Sequence, residues 1–194
     1  MLWPSAVGVV TSSGARVTGV LTITTSTLEG GKLAELTQLE SKLAEVMGLA
    51  QAAQQSTATV IKMVDDDEVV ALLRRMREEA AETEKRCKAV AAERKGKKSA
   101  IQEKAKETKS EAVEMMNTYL GNGADGLDGF EFLTMAEAGE LGHVEIVAEM
   151  NRKARDPRVR ELVQWVTPIQ KRHVKDTRAG SLRLAAQEDP NETE

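Results

Sequence analysis

The sequence predicts an all-α protein built as an up-down helical bundle of two antiparallel hairpins with a connecting helix. Aromatic residues make up 3% of the 194 residues and there are only four prolines, which is unusual for a sheet protein. Strong helix formers dominate from Leu28 to Arg178. Apolar residues in this range recur every three or four positions, which is the period of one helix face.

Two apolar stripes separated by an acidic break predict the first hairpin. The first stripe covers Leu33–Val64, and Ser26–Glu29 before it fits a capping box. Asp65–Asp67 interrupts the pattern and provides the cap of a second helix. The stripe of that helix covers Val69–Val90, and Gly96 is expected to end it.

The remaining chain predicts the connecting helix and the second hairpin. Lys97–Leu120 is rich in lysine, which indicates a largely solvated third helix. Gly121–Gly126 is the strongest helix-breaking stretch, and a fourth helix should follow it to about Ala154. Asp156-Pro157 supplies an N-cap and a first-turn proline for a fifth helix, which we expect to end near Thr177.

This pattern divides the chain into three parts. Residues 28–180 are expected to form the helical bundle. Residues 1–27 are rich in Val, Thr and Gly and predict a flexible or weakly β N-terminal arm, although a translation start assigned too far upstream explains them equally well. Residues 181–194 predict a short C-terminal helix and an acidic tail.

Charge, cysteine content and hydropathy favour a cytoplasmic protein. The net charge is −4 and the basic residues alternate with Glu, so no basic face suits nucleic acid. The single cysteine, Cys87, excludes an internal disulfide, fits a reducing compartment and lies on an apolar helix face, where we expect it to pack. Apolar runs fall short of the roughly 20 residues that span a bilayer, so no membrane contact is expected.

Polar side chains interrupt the apolar stripes of the second predicted hairpin. Glu140 and His143 stand three residues apart in the fourth helix, and Gln170 and His173 stand three apart in the fifth. Residues three apart share a helix face, and Glu137 lies one turn before Glu140 on the same stripe. Because an unpaired buried carboxylate costs several kcal/mol, these residues require a cation, a hydrogen-bond network or a wet cavity.

The predicted turn at Asp156-Pro157 sets the register of this hairpin. Residues equally far from an antiparallel turn lie level, so Glu140 is expected beside His173, and His143 beside Gln170. Oxygen and imidazole ligands suit iron or manganese. The predicted metal site therefore comprises Glu140, His143, His173, Glu137 and Gln170.

Other interpretations of these residues remain open. A buried histidine is more often a hydrogen-bonded core residue, and Glu137 is equally suited to pair with a basic residue such as Arg172. Glu78, Glu79 and Glu82 of the second helix are best explained as a charged outer face.

One segment of the chain, Tyr119–Pro190, resembles bacterial ferritin-like, rubrerythrin-related proteins. The motifs that carry the resemblance are Gly129–His143 and Pro168–His173. The resemblance implies a ferritin-like bundle with a di-iron site, in which Glu140 is a bridging or terminal glutamate and His173 is the histidine of a Glu-x-x-His pair. It also implies a role in iron or oxidant handling. Gln170 departs from the pattern, because a neutral amide cannot bridge two cations as a carboxylate does.

The first hairpin lacks corresponding ligands. An offset of about ninety residues aligns the two hairpins as weak internal repeats. The counterparts of Glu140, His143, Gln170 and His173 are then Ala50, Ala53, Ala80 and Thr83. Three arrangements follow: one asymmetric site, a homo-oligomer that joins two ligand-bearing hairpins, or a fold that persists without its metal.

Two function classes therefore stay open, and whether the protein is an enzyme stays open with them. One is a metal-binding protein that uses iron or manganese, and the other is a non-catalytic helical bundle acting in interaction or assembly. Gly180-Ser181-Leu182 also resembles the core of encapsulin cargo tags, which implies an encapsulin shell as partner, but a helix C-cap explains it equally well. No nucleophile constellation, phosphate loop or zinc pattern is present.

Overall fold

The computed structural model describes residues 33–191, and helices are the only regular secondary structure in this part of the chain, which contains no strand. The predictions for residues 1–27 and for the last residues of the acidic tail lie outside it. Its elements are α1 (Gln38–Val60), a 3₁₀ turn (Ile61–Met63), α2 (Asp67–Ala92), α3 (Lys98–Tyr119), α4 (Gly126–Ala154) and α5 (Pro157–Ala185).

Side-chain caps define where the helices begin. Asp66 and Asp156 each accept hydrogen bonds from two backbone N–H groups, at the starts of α2 and α5, as predicted. Such a cap contributes about 1 kcal/mol. The first helix starts later than predicted, because Thr37 and Glu40 form its capping box. The predicted box at Ser26–Glu29 lies outside the described residues and is separated from α1 by two helix-breaking glycines.

The described helices form a bundle in which α1 contacts three neighbours. α1 packs against α2, α3 and α4, while α5 packs against α4 and α2. The pairs α1/α2 and α4/α5 are the two predicted hairpins, called the first and second hairpin below. α3 packs along α1, where a Cβ on Gly48 would lie 2.3 Å from the carbonyl oxygen of Ala105. Glycine is needed at this crossing because the two backbones approach so closely.

Two apolar clusters fill the bundle and a polar layer separates them. One cluster contains Met47 and Val144, and the other contains Met76 and Leu133. The polar layer consists of buried side chains of α4 and α5 that carry carboxyl, amide and imidazole groups. Cys87 lies fully buried in the first cluster, where burial raises the pKa of its thiol to about 12, so its predicted packing role is confirmed.

The fifth helix is longer than predicted. α5 continues past Thr177 and through Gly180 to Ala185, so residues after 180 do not form a separate helix. Gly180 is not a C-cap. A Cβ at Gly180 would lie 2.3 Å from a ring atom of Phe130, so glycine here lets that ring pack directly against α5.

Candidate functional site

Four of the five predicted site residues meet in the polar layer of the second hairpin. Glu137 and Glu140 project from α4, and Gln170 and His173 project from α5. Each is at most 5% exposed. The interruption of the apolar stripes therefore identified a real buried polar cluster.

The contacts within this cluster differ from the predicted register. Gln170 Nε2 donates a hydrogen bond of 2.7 Å to Glu140 Oε2. His173 Nδ1 lies 3.2 Å from Glu137 Oε2. The predicted pairing of Glu140 with His173 is wrong, because the residue facing Glu140 lies one turn earlier on α5.

The geometry of the turn explains this shift. α4 ends at Ala154, Arg155 adopts a left-handed conformation with φ of 57°, and Asp156 caps α5. The side-chain amide of Asn151 closes the turn by donating to the carbonyl of Asp156 and accepting from its N–H. The turn is therefore centred near Arg155, and this small displacement moves the facing position on α5 by three residues.

The fifth predicted residue, His143, lies apart from the other four. Its Nδ1 is 2.9 Å from the Gly139 carbonyl oxygen of its own helix. Its Nε2 is 3.3 Å from Glu45 Oε2 on α1, and the side chain is 34% exposed. The predicted contact between His143 and Gln170 is therefore wrong, because Gln170 faces Glu140 and the ring of His143 faces Gly139 and Glu45.

Two residues outside the predicted site complete the cluster. His173 Nε2 lies 2.7 Å from Glu79 Oε2 on α2. Arg172 donates a 2.5 Å hydrogen bond to the other oxygen of Glu79, rather than pairing with Glu137. Glu79 follows Met76 by three residues and precedes the buried Ala80, and this place at the edge of an apolar stripe was the available signal.

The charges in this network balance one another. Burial opposes a charged imidazole, but the hydrogen bonds and charges of Glu137 and Glu79 outweigh it and raise the pKa of His173. Burial also opposes ionisation of Glu79, yet the hydrogen bonds from His173 and Arg172 lower its pKa. Both ring nitrogens of His173 and the guanidinium of Arg172 thus face a carboxyl group, which reduces the cost of holding these groups inside the bundle.

Glu140 differs from the other two carboxyl groups. Burial, and then the nearby charge of Glu137, raise its pKa well above the ordinary value of 4.5. Its hydrogen bond from Gln170 opposes this shift without reversing it. Glu140 is therefore a neutral acid across a wider pH range than an exposed glutamate.

The arrangement does not fit a two-metal centre. Glu137 and Glu79 approach different nitrogens of His173, which point in different directions, whereas a metal ion would take one nitrogen. Gln170 is neutral, and its buried Oε1 has no hydrogen-bond partner. Within residues 33–191, no three His, Cys, Asp or Glu side chains are grouped so that they could hold a metal ion.

Comparisons with known proteins do not assign this chain to a family. No protein-family model, curated protein or solved structure matches this chain. Among the helices described, none is both long and apolar enough to cross a membrane. The resemblance to ferritin-like proteins stays a prediction.

Proposed function

We propose that this protein is a non-catalytic helical bundle that acts by self-association, and that its polar layer specifies helix register instead of binding metal. The observation that carries the proposal is the outer face of α4. Met135 and Ile146 on this face are 53% and 43% exposed. Between them lie Gly139 and Gly142, and a Cβ added to either would meet no atom within 4 Å.

The two glycines have no use within a single chain. Neither has a positive φ, so the backbone does not require glycine. No atom of another described helix lies within 4 Å of a Cβ built on either glycine, so close packing inside the bundle does not explain them. Since a glycine in a helix interior costs about 1 kcal/mol relative to alanine, an external partner that packs closely on α4 is the explanation we favour.

A second copy of the chain suits this face better than an unrelated partner. An antiparallel α4 of a second copy, centred between Gly139 and Gly142, brings each glycine opposite the other. The same register brings Met135 opposite Ile146, and Asp128 opposite Lys153. Such an isologous contact pairs apolar with apolar and acidic with basic residues about a two-fold axis.

The polar layer supports a structural role within each copy. A slip of α5 by one turn would remove His173 from Glu137 and leave that buried carboxylate without its partner. Breaking a buried charge pair in this way costs about 3–5 kcal/mol. The network therefore selects one register of the second hairpin, which keeps α4 and its outer face in place.

Metal analysis tests the first half of the proposal. The protein is expressed in iron-replete and in manganese-replete medium, purified, and measured for bound metal. We expect no stoichiometric metal from either medium. Stoichiometric metal that is lost in His173→Ala and kept in His143→Ala would overturn the proposal in favour of the ferritin-like metal protein.

Sedimentation velocity tests the second half. We expect the protein to dimerise and Gly142→Leu to be monomeric with unchanged helical circular dichroism, because a leucine there blocks the approach of a second α4. Gly121→Leu is the matched control, since Gly121 also faces open space but lies outside the helices. A monomeric wild-type protein, or equal dimerisation of both variants, would contradict self-association through α4.

A further inference from the structure

An apolar cavity of about 160 Å³ lies between α1, α3 and α4. Its wall includes Ala53 of α1, Val113 of α3 and Phe132 of α4. The other wall residues are also apolar except for Ser56, Glu140 and His143. The cavity therefore combines an apolar interior with few polar groups, which is the usual composition of a small-molecule site.

The size of the cavity limits its occupant to a small aromatic molecule. An apolar protein cavity of about 150 Å³ is sufficient to bind benzene. Met115 and Met135 line the cavity, and Met115 of α3, which lies outside the α4 face proposed for self-association, is 54% exposed, so a ligand would enter beside it. Methionine side chains adapt their shape and make favourable sulfur contacts with aromatic rings.

Glu140 is the polar group best placed to orient a ligand. The Ser56 hydroxyl already donates to the Ala53 carbonyl, and the two ring nitrogens of His143 face Gly139 and Glu45. Glu140 engages Gln170 through Oε2 alone. Its second carboxyl oxygen is therefore available to donate or accept one hydrogen bond.

We propose that this cavity binds a small neutral aromatic molecule carrying one hydrogen-bonding group, with its ring between the methionines and its polar group at Glu140. Phenol and indole represent this class. Benzoate does not belong to it, because no lysine or arginine lines the cavity and a carboxylate would be buried without a cation.

Titration with phenol, indole and benzoate tests the proposal, using protein labelled with ¹³C at the methionine methyl groups. Phenol and indole should shift the signals of Met115, Met116 and Met135, which line the cavity. The signals of Met47 and Met76, which lie in the apolar clusters, should stay in place. Benzoate should cause no shift. No response to phenol and indole, or shifts centred on Met47 and Met76, would overturn the proposal.

Two glycine variants test whether the ligand binds in the cavity or elsewhere on α4. A leucine at position 139 leans toward the preceding turn, where Met135 and Ala136 line the cavity, so Gly139→Leu should weaken binding about tenfold or more. Gly142 is equally unobstructed but does not line the cavity, so Gly142→Leu should keep the wild-type affinity within about twofold.

The same pair of variants distinguishes this proposal from self-association. Gly142→Leu is expected to lose the dimer and to keep the ligand, so the two proposals can fail separately. Equal loss of phenol and indole binding in both variants would place the ligand on the outer face of α4 and overturn the assignment to the cavity.

Discussion

The two hairpins bury different side chains at the positions that correspond in the two sequence repeats. The first hairpin provides Ala50, Ala53, Ala80 and Thr83, and the second provides Glu137, Glu140, Gln170 and His173. All eight are buried to a similar degree. The first hairpin therefore buries small side chains where the second buries larger polar ones, so the repeats differ in both side-chain volume and polarity.

The first hairpin nevertheless supplies one charge that the second hairpin lacks. Glu79 stands next to the buried Ala80 and reaches His173 from the edge of α2. Without it, the imidazole would have a single carboxylate partner. His173 therefore has both of its carboxyl partners only when the two hairpins are packed together. This couples the packing of the hairpins to the register of α5.

Removing the imidazole of His173 should have the largest effect on the free energy of unfolding. We expect His173→Ala to lower the free energy of unfolding by about 3–5 kcal/mol, because Glu137 remains buried without its partner. His143→Ala is the matched control, since this more exposed histidine should change stability by less than about 1 kcal/mol. Urea denaturation of both variants measures the difference. Similar losses would show that the two histidines are energetically equivalent.

Enlarging a buried alanine of the first hairpin should have the next largest effect on stability. We expect Ala80→Leu to cost about 1–3 kcal/mol, because Ala80 is buried and the added methyl groups would overpack its surroundings. Ala81→Leu, at an exposed position of the same helix, should stay within about 0.5 kcal/mol of wild type. Thermal unfolding measures both. A neutral Ala80→Leu would mean that the alanines do not border a filled space.

Local signals in the sequence predicted the five helices and their two hairpins, but not the start of α1, the end of α5 or the contacts between side chains. Asp66 and Asp156 predicted two helix starts correctly, because a cap depends on residues within one turn. The buried position of Glu137 and Glu140 was also readable, because helical periodicity places them on an apolar face. These are properties of single elements.

The pairing of side chains depended on geometry that no single element contains. The left-handed Arg155 moved the centre of the turn, and this changed the partner of Glu140 from His173 to Gln170. Glu79 was interpreted as part of a charged outer face, because its contact with His173 crosses between hairpins. A small change in a turn is amplified along two helices, so sequence periodicity alone could not establish the site.

The smallest expected effect concerns Glu140, and it depends on pH. A carboxyl group whose pKa is raised on folding contributes stability fully below its ordinary pKa of 4.5 and loses that contribution as pH rises through the folded value. The raised pKa of His173 acts in the same direction above 6.5. The free energy of unfolding of the wild type should therefore decrease as the pH rises above about 5, through the raised pKa values of Glu140 and His173.

Glu140→Gln should reduce this decrease and stabilise the protein by about 1 kcal/mol at the alkaline end. The variant removes a buried group that would otherwise ionise, and it adds an N–H donor beside Gln170, whose Oε1 has no partner. Glu45→Gln is the control, because Glu45 contacts the more exposed His143 outside this layer. Urea denaturation at several pH values measures the slopes. If the free energy of unfolding of Glu140→Gln changes with pH as steeply as that of the wild type, folding does not change the pKa of Glu140. The two hairpins would then differ in the size of their buried side chains but not in their response to pH.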